Sequence, residues 1–111
     1  MGNPFASEVA LVIDGQRRVL KLTLGALAEL EAGLQTDTLV ELVQRFEAGG
    51  FSTRDVMKLI VAGLRGGGWE GRASDLLNAD IEGGPMQAAK AAALLLARAF
   101  VLPDEGADAA V

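Results

Sequence analysis

Glu29 with Glu31, and Arg54 with Asp55, are the carboxylate groupings on which this chain could build acid–base chemistry. Side chains two apart on a helix point in different directions, so Glu29 and Glu31 cannot share a proton or a metal ion. Asp55 falls three residues after Ser52, a spacing at which a helix cap already uses its carboxylate. The chain contains no histidine and no cysteine. That removes thiolate nucleophiles, Cys/His zinc centres, haem ligation through histidine and every Ser-His-Asp or Cys-His arrangement. The run Gly66-Gly67-Gly68 lacks the Lys-Ser/Thr that completes a phosphate-cradling loop. Nowhere do a nucleophile, a base and an orienting group converge. The expectation is a protein that is not an enzyme, with no catalytic residue, no cofactor and no metal.

The remaining candidates are groups that could touch a partner. Val12 and Val19 fall on the outer face of an expected hairpin, where they either dock a partner strand or helix or pack under the chain's own last helix. Phe51 flanks the Gly49-Gly50 break together with Phe46, so it either meets a partner or makes a staple-like contact at a helix start. Trp69, the single tryptophan, follows the triple glycine. That run reads as a helix end and connection, with an anion-binding nest or a hinge presenting Trp69 as the sharper alternatives. Gln16-Arg17-Arg18 with Lys21 forms a basic tip that reads as a solvated hairpin end.

Short elements position these groups. Val9, Leu11 and Ile13, then Asp14-Gly15, then Val19, Leu20 and Leu22 alternate across a turn signal, which predicts a β-hairpin within residues 8–24. Opposed residues in an antiparallel pair share a face. A two-residue loop at Asp14-Gly15 would set Leu11 against Arg18 and mix apolar with charged residues. A four-residue loop, Asp14 to Arg17, sets Val9 against Leu22, Leu11 against Leu20 and Val12 against Val19, and is the expected register.

Helices are expected to cover this hairpin, which alone would be marginal. Thr23 caps a first helix bearing Leu24, Leu27, Leu30 and Leu34. Thr38-Leu39-Val40-Glu41 and Ser52-Thr53-Arg54-Asp55 are capping boxes for the second and third, which end at Gly49-Gly50 and Gly66-Gly67-Gly68. Ser74-Asp75-Leu76-Leu77 starts a short fourth. Pro85 sits in the first turn of a last helix whose Met86, Ala89, Ala93, Leu96 and Phe100 recur at helical spacing, with Phe100 and Leu102 assigned to the core. The predicted fold is α+β, an N-terminal β-hairpin packed against four to five short helices. It forms a single domain over 1–102, with an acidic flexible C-terminal tail over 103–111.

The 111 residues suffice for one core without staples. Ten basic against fifteen acidic residues give a net charge of −5, which repels nucleic acid and anionic membrane surfaces. Residues 1–8 have neither a basic region nor a long apolar run and do not read as a secretory signal. Lys90 and Arg98 interrupt the most apolar stretch, so it reads as a buried helix and not a membrane span. The expected setting is the bacterial cytoplasm or an assembled particle, with no nucleic acid and no membrane partner.

The segment EVALVIDGQRRVLKLTLGALAELE from Glu8 to Glu31, followed by FEAGGFSTRDVMKLIVAGLRGGG from Phe46 to Gly68, resembles the small tail-gene family of bacterial gene transfer agents and related tailed phages. These proteins are encoded near the major tail protein and the tape-measure protein and are labelled tail assembly chaperones. The resemblance runs to AAALLLARAF at Ala91 to Phe100. It implies a chaperone holding the tape-measure protein soluble while tube subunits polymerise around it, with tail tube protein as a further partner and homo-oligomers open. The alternative it implies is a structural tube or minor tail component, although one hairpin among helices departs from a tube-forming protein. A cytoplasmic adaptor unrelated to tails is the reading from composition alone. A mean hydropathy of +0.30 accommodates an apolar docking patch.

Overall fold

The computed structural model describes residues 9–34 and 37–100. A two-stranded antiparallel sheet, β1 (Val9–Ile13) and β2 (Gln16–Leu20), precedes five helices: α1 (Leu24–Gly33), α2 (Leu39–Ala48), α3 (Thr53–Gly66), α4 (Ala73–Leu77) and α5 (Gly84–Phe100). This is the expected α+β architecture. The boundary at 102/103, the acidic tail and Leu102 lie outside the described residues.

The hairpin register differs from expectation. Val9 opposes Leu20, Ala10 opposes Val19, Leu11 opposes Arg18, Val12 opposes Arg17 and Ile13 opposes Gln16, so the loop is the two-residue Asp14-Gly15. Both turn residues are left-handed, at φ 52° and 80°, the geometry whose twist matches that of the flanking strands and which Asp-Gly favours. The mixed face is tolerated because Arg18 and Gln16 are exposed, even though Ile13 opposite Gln16 still packs against the core. Val9, Leu11 and Leu20 are buried on that face. Arg18, directly opposite Leu11, and Gln16 are exposed, and Arg18 Nη2 donates to Gln16 Oε1 at 2.8 Å.

Residues 80–82 add a second partner to β1. Asp14 N–H donates to the Asp80 carbonyl at 2.8 Å, Asp80 N–H donates to Asp14 Oδ1 at 2.9 Å, and Glu82 N–H donates to the Val12 carbonyl at 2.9 Å. Asp14 therefore both tolerates the left-handed turn and ties it to the chain before α5. Asp14→Ala is expected to lower the unfolding free energy by about 1–2 kcal/mol, combining one lost hydrogen bond with left-handed strain. Urea denaturation followed by the Trp69 fluorescence would measure it, and an unchanged midpoint would contradict the role assigned here.

Caps set the helix starts as the sequence predicts. Thr23 Oγ1 accepts from Ala26 N–H at 3.1 Å. Reciprocal capping boxes join Thr38 to Glu41 and Ser52 to Asp55, each bond 3.0–3.1 Å. The fourth helix begins one residue earlier than expected, at Ala73, with Arg72 N–H donating to Asp75 Oδ2 at 2.9 Å, so Ser74 is not its cap.

α3 is the hub, packing against α1, α4, α5 and β2, while α5 also crosses β1. Leu42, Leu59, Ile60 and Leu64 are the largest fully buried side chains. Three glycines make the hub work. A Cβ on Gly63 would lie 2.7 Å from Leu95 Cδ1 and 3.1 Å from Leu20 Cβ, and one on Gly66 or Gly67 would collide with the carbonyl oxygen of Lys21 or Val19. Lys21 N–H donates to the Gly63 carbonyl at 2.9 Å, so the end of β2 rests on the α3 backbone itself. This seating fixes the face of α1. Ala26 and Leu30 are buried, while Leu24, expected in the stripe, is 87% exposed.

Candidate functional site

The side chains with chemical potential are engaged in structure. Asp55, the one buried charged residue among those described, receives Arg45 Nε at 2.9 Å, Arg45 Nη2 at 3.0 Å and the Ser52 N–H at 3.0 Å. Burial alone would raise the Asp55 pKa. The hydrogen bonds from Arg45 and Ser52, with the guanidinium charge, outweigh it and hold the carboxyl below its ordinary value. The hydrogen bond to Asp55 in turn raises the Arg45 pKa. Arg45 also reaches Asp37 Oδ2 at 3.3 Å, so the cluster clamps α2 to the start of α3. Glu29 pairs with Arg65 at 3.1 Å on the surface. Among the described residues no group of three His, Cys, Asp or Glu could hold a metal ion.

The triple glycine has no free donors for an anion. Gly67 N–H bonds the Gly63 and Leu64 carbonyls, Gly68 N–H the Arg65 carbonyl, and Trp69 N–H the Leu64 carbonyl. The run closes α3, and two of its members are required by close backbone approach.

The predicted contact residues occupy three separate places. Phe51 is stacked on Phe46, ring centroids 4.4 Å apart and planes 7° from parallel, the staple-like arrangement at the α2–α3 junction. Trp69 is half-buried against the core and shares a recess with Ile13, Arg18, Leu64 and Leu76. Val12 and Val19 share the outer hairpin face, half-buried, but oppose Arg17 and Ala10 and not each other. Val12 borders an open recess with Ala10, Arg17, Glu82 and Gln87.

Two surfaces were not anticipated. Between α1 and α3 runs an apolar groove floored by Leu30, Gly33, Met57, Val61 and Ala62, its rim carrying the Glu29–Arg65 pair and Lys58 Nζ, which donates to the Gly33 carbonyl at 3.0 Å. The second surface lies on α5, which buries Ala88, Ala91, Ala92, Leu95 and Leu96. Met86 (82% exposed), Ala93 and Phe100 (44%) therefore face outward, which for Phe100 corrects its assignment to the core. The signal was present in the sequence, because α5 carries two apolar stripes on opposite sides and a single core can take only one. No helix among the described residues is long and apolar enough to cross a membrane.

No curated protein and no solved structure matches the chain. The family model described as phage tail tube protein, GTA-gp10, matches residues 6–101, a span that contains every helix and strand described above, and the chain accordingly belongs to that family.

Proposed function

We propose that this chain is a structural, non-catalytic component of a phage-type tail, a tube or minor tail subunit carried by a gene transfer agent or a prophage-derived particle. The observation that carries this reading is the family match over residues 6–101, which spans the whole packed body and not a single motif. The engagement of Asp55 and Glu29 in ion pairs fits a role in binding. On this reading its partners are other tail proteins, and its destination is the particle.

A second reading, a tail assembly chaperone that keeps the tape-measure protein soluble, is favoured by one feature. The α1–α3 groove presents an apolar floor and a charged rim, the form in which a soluble domain receives an apolar helix. A two-stranded sheet also contributes little wall to a tube.

Purified particles and the cleared lysate from a producing host distinguish the two. A structural subunit is expected in finished particles at a fixed ratio to the tail tube protein. Its absence from particles, with recovery bound to the tape-measure protein in the lysate, would replace the first reading by the second.

A further inference from the structure

Asp14-Gly15 is the one place in the 111 residues where an aspartate or asparagine precedes a glycine. At such a pair the glycine nitrogen, unhindered by a Cβ, can attack the side-chain carboxyl carbon of the residue before it. The N–Cγ bond forms, and one carboxyl oxygen leaves as water with the amide proton and the proton of the neutral acid. Water then reopens the cyclic imide at either carbonyl. Opening at Cγ restores aspartate. Opening at the main-chain carbon leaves isoaspartate, in which the chain runs through Cγ and the former main-chain carbonyl carbon carries a free carboxylate. One water leaves and one returns, so no other reactant is needed.

The fold exposes this pair and also holds its two reacting atoms apart. Asp14 and Gly15 are exposed, and a Cβ on Gly15 would meet nothing within 4 Å. Among the described residues no hydrogen bond occupies the Gly15 N–H, so the nucleophile is open to solvent. Asp14, however, is left-handed at φ 52°. With the ψ of about +30° to +50° that accompanies this region, Gly15 N stands nearly opposite Cβ about the Cα–C bond, whereas ring closure needs the two on the same side. Two hydrogen bonds fasten that geometry, Asp14 N–H to the Asp80 carbonyl at 2.8 Å and Asp80 N–H to Asp14 Oδ1 at 2.9 Å.

We propose that Asp14-Gly15 is an isoaspartate-forming site guarded by the turn, and that isomerisation during an opening of the tip permanently unties the hairpin from residues 80–82. Local openings of this kind cost less than global unfolding. Isoaspartate adds a methylene to the main chain of a two-residue turn and converts the side-chain carboxyl that received the Asp80 N–H into the carbonyl bonded to Gly15. The pairing of Ile13 with Gln16 and the contact with Asp80 cannot both survive that lengthening. The Ile13–Ile81 bridge and the Glu82 N–H to Val12 bond come next along the chain, so the loosening runs toward the start of α5. The inference rests on the hairpin alone and stands whether or not the tail-component reading holds.

The full chain is incubated in warm, neutral buffer made with heavy-oxygen water, folded and in urea. Each passage through the imide leaves a heavy oxygen at Asp14, read by peptide mass spectrometry, and an isoaspartyl methyltransferase counts the isomerised product. Labelling of the folded chain is expected to be at least about tenfold slower than in urea, which is an opening free energy of about 1.4 kcal/mol and within what two hydrogen bonds supply. Asp80→Pro removes the N–H that Asp14 Oδ1 accepts and is expected to bring the folded rate toward the urea rate, with Trp69 fluorescence reporting that the core is intact. Asp14→Ala has no carboxyl and is the blank. In the isolated isoaspartate form the Asp80 amide is expected to exchange with deuterium at least about tenfold faster than in the unmodified chain. Equal labelling folded and in urea would overturn the guard, a comparison that stands even where Asp80→Pro does not fold. No labelling in either state would overturn the site. Unchanged exchange at Asp80 after isomerisation would overturn the untying.

Discussion

Gly66→Ala is expected to destabilise the protein by about 3 kcal/mol, a large share of the roughly 5–15 kcal/mol that holds a domain together. The added Cβ would fall on the Lys21 carbonyl oxygen, with Lys21 C at 3.0 Å and Ala26 Cβ at 3.3 Å. Neither neighbour can turn away as a side chain would. The Lys21 carbonyl belongs to the segment joining β2 to α1, and Lys21 N–H is bonded to the Gly63 carbonyl one turn earlier in α3. Relieving the clash means lifting the hairpin off the hub. The control is Gly33→Ala at the end of α1, where a Cβ meets nothing within 4 Å. There, restricting the unfolded chain is expected to stabilise by about 0.5–1 kcal/mol. Urea denaturation read by Trp69 compares the two directly. A loss below about 1 kcal/mol at Gly66 would mean that β2 does not seat on the α3 backbone as described.

The Arg45–Asp55 pair should produce the second large effect, and it should depend on pH. Asp55→Ala removes the acceptor of two guanidinium bonds and of the Ser52 cap. The expected loss is about 2–3 kcal/mol, below the range for a fully buried pair because Arg45 is 29% exposed and can turn to water. The folded carboxyl titrates below its unfolded value of about 3.8. Its contribution is therefore fully present above that unfolded value and is lost as pH falls through the lower, folded one. Wild type is expected to lose stability more steeply than Asp55→Asn below about pH 4, the two curves converging at the acid end. Unfolding free energies measured from pH 7 to about pH 2 test this. Curves that stay parallel throughout would show that Asp55 is not held ionised by the fold.

The short-range features were legible because their causes are local. Thr38 with Glu41 and Ser52 with Asp55 satisfy backbone groups within one turn, so residues three apart suffice to place two helix starts. Phe46 and Phe51 stack across the Gly49-Gly50 break for the same reason. The hairpin loop is shorter than its patterning suggests because β1 and β2 do not need an entirely apolar face. A strand face carries polar residues where their side chains reach solvent, as those of Arg18 and Gln16 do. The preference of Asp14-Gly15 for the left-handed turn was the better local guide.

The stripes on α1 and α5 were ambiguous for a deeper reason. Periodicity identifies a helix, but where apolar residues recur on two sides it does not say which side the core receives. The spacing sets Leu24 and Met86 in apolar stripes and Phe100 in the core; the structure turns all three outward and buries Ala26 on α1 and Ala88, Ala92 and Leu95 on α5. Close approach at the hub favours this seating, with Gly63 against Leu20 and Leu95 and Gly66 against Lys21 and Ala26. The sequence by itself determined the class of fold, the starts of the first three helices and the absence of histidine and cysteine chemistry, all properties of residue type and near spacing. Only the tertiary structure decided which apolar faces are buried and which remain exposed, because that depends on backbone-to-backbone distances between residues far apart in the chain.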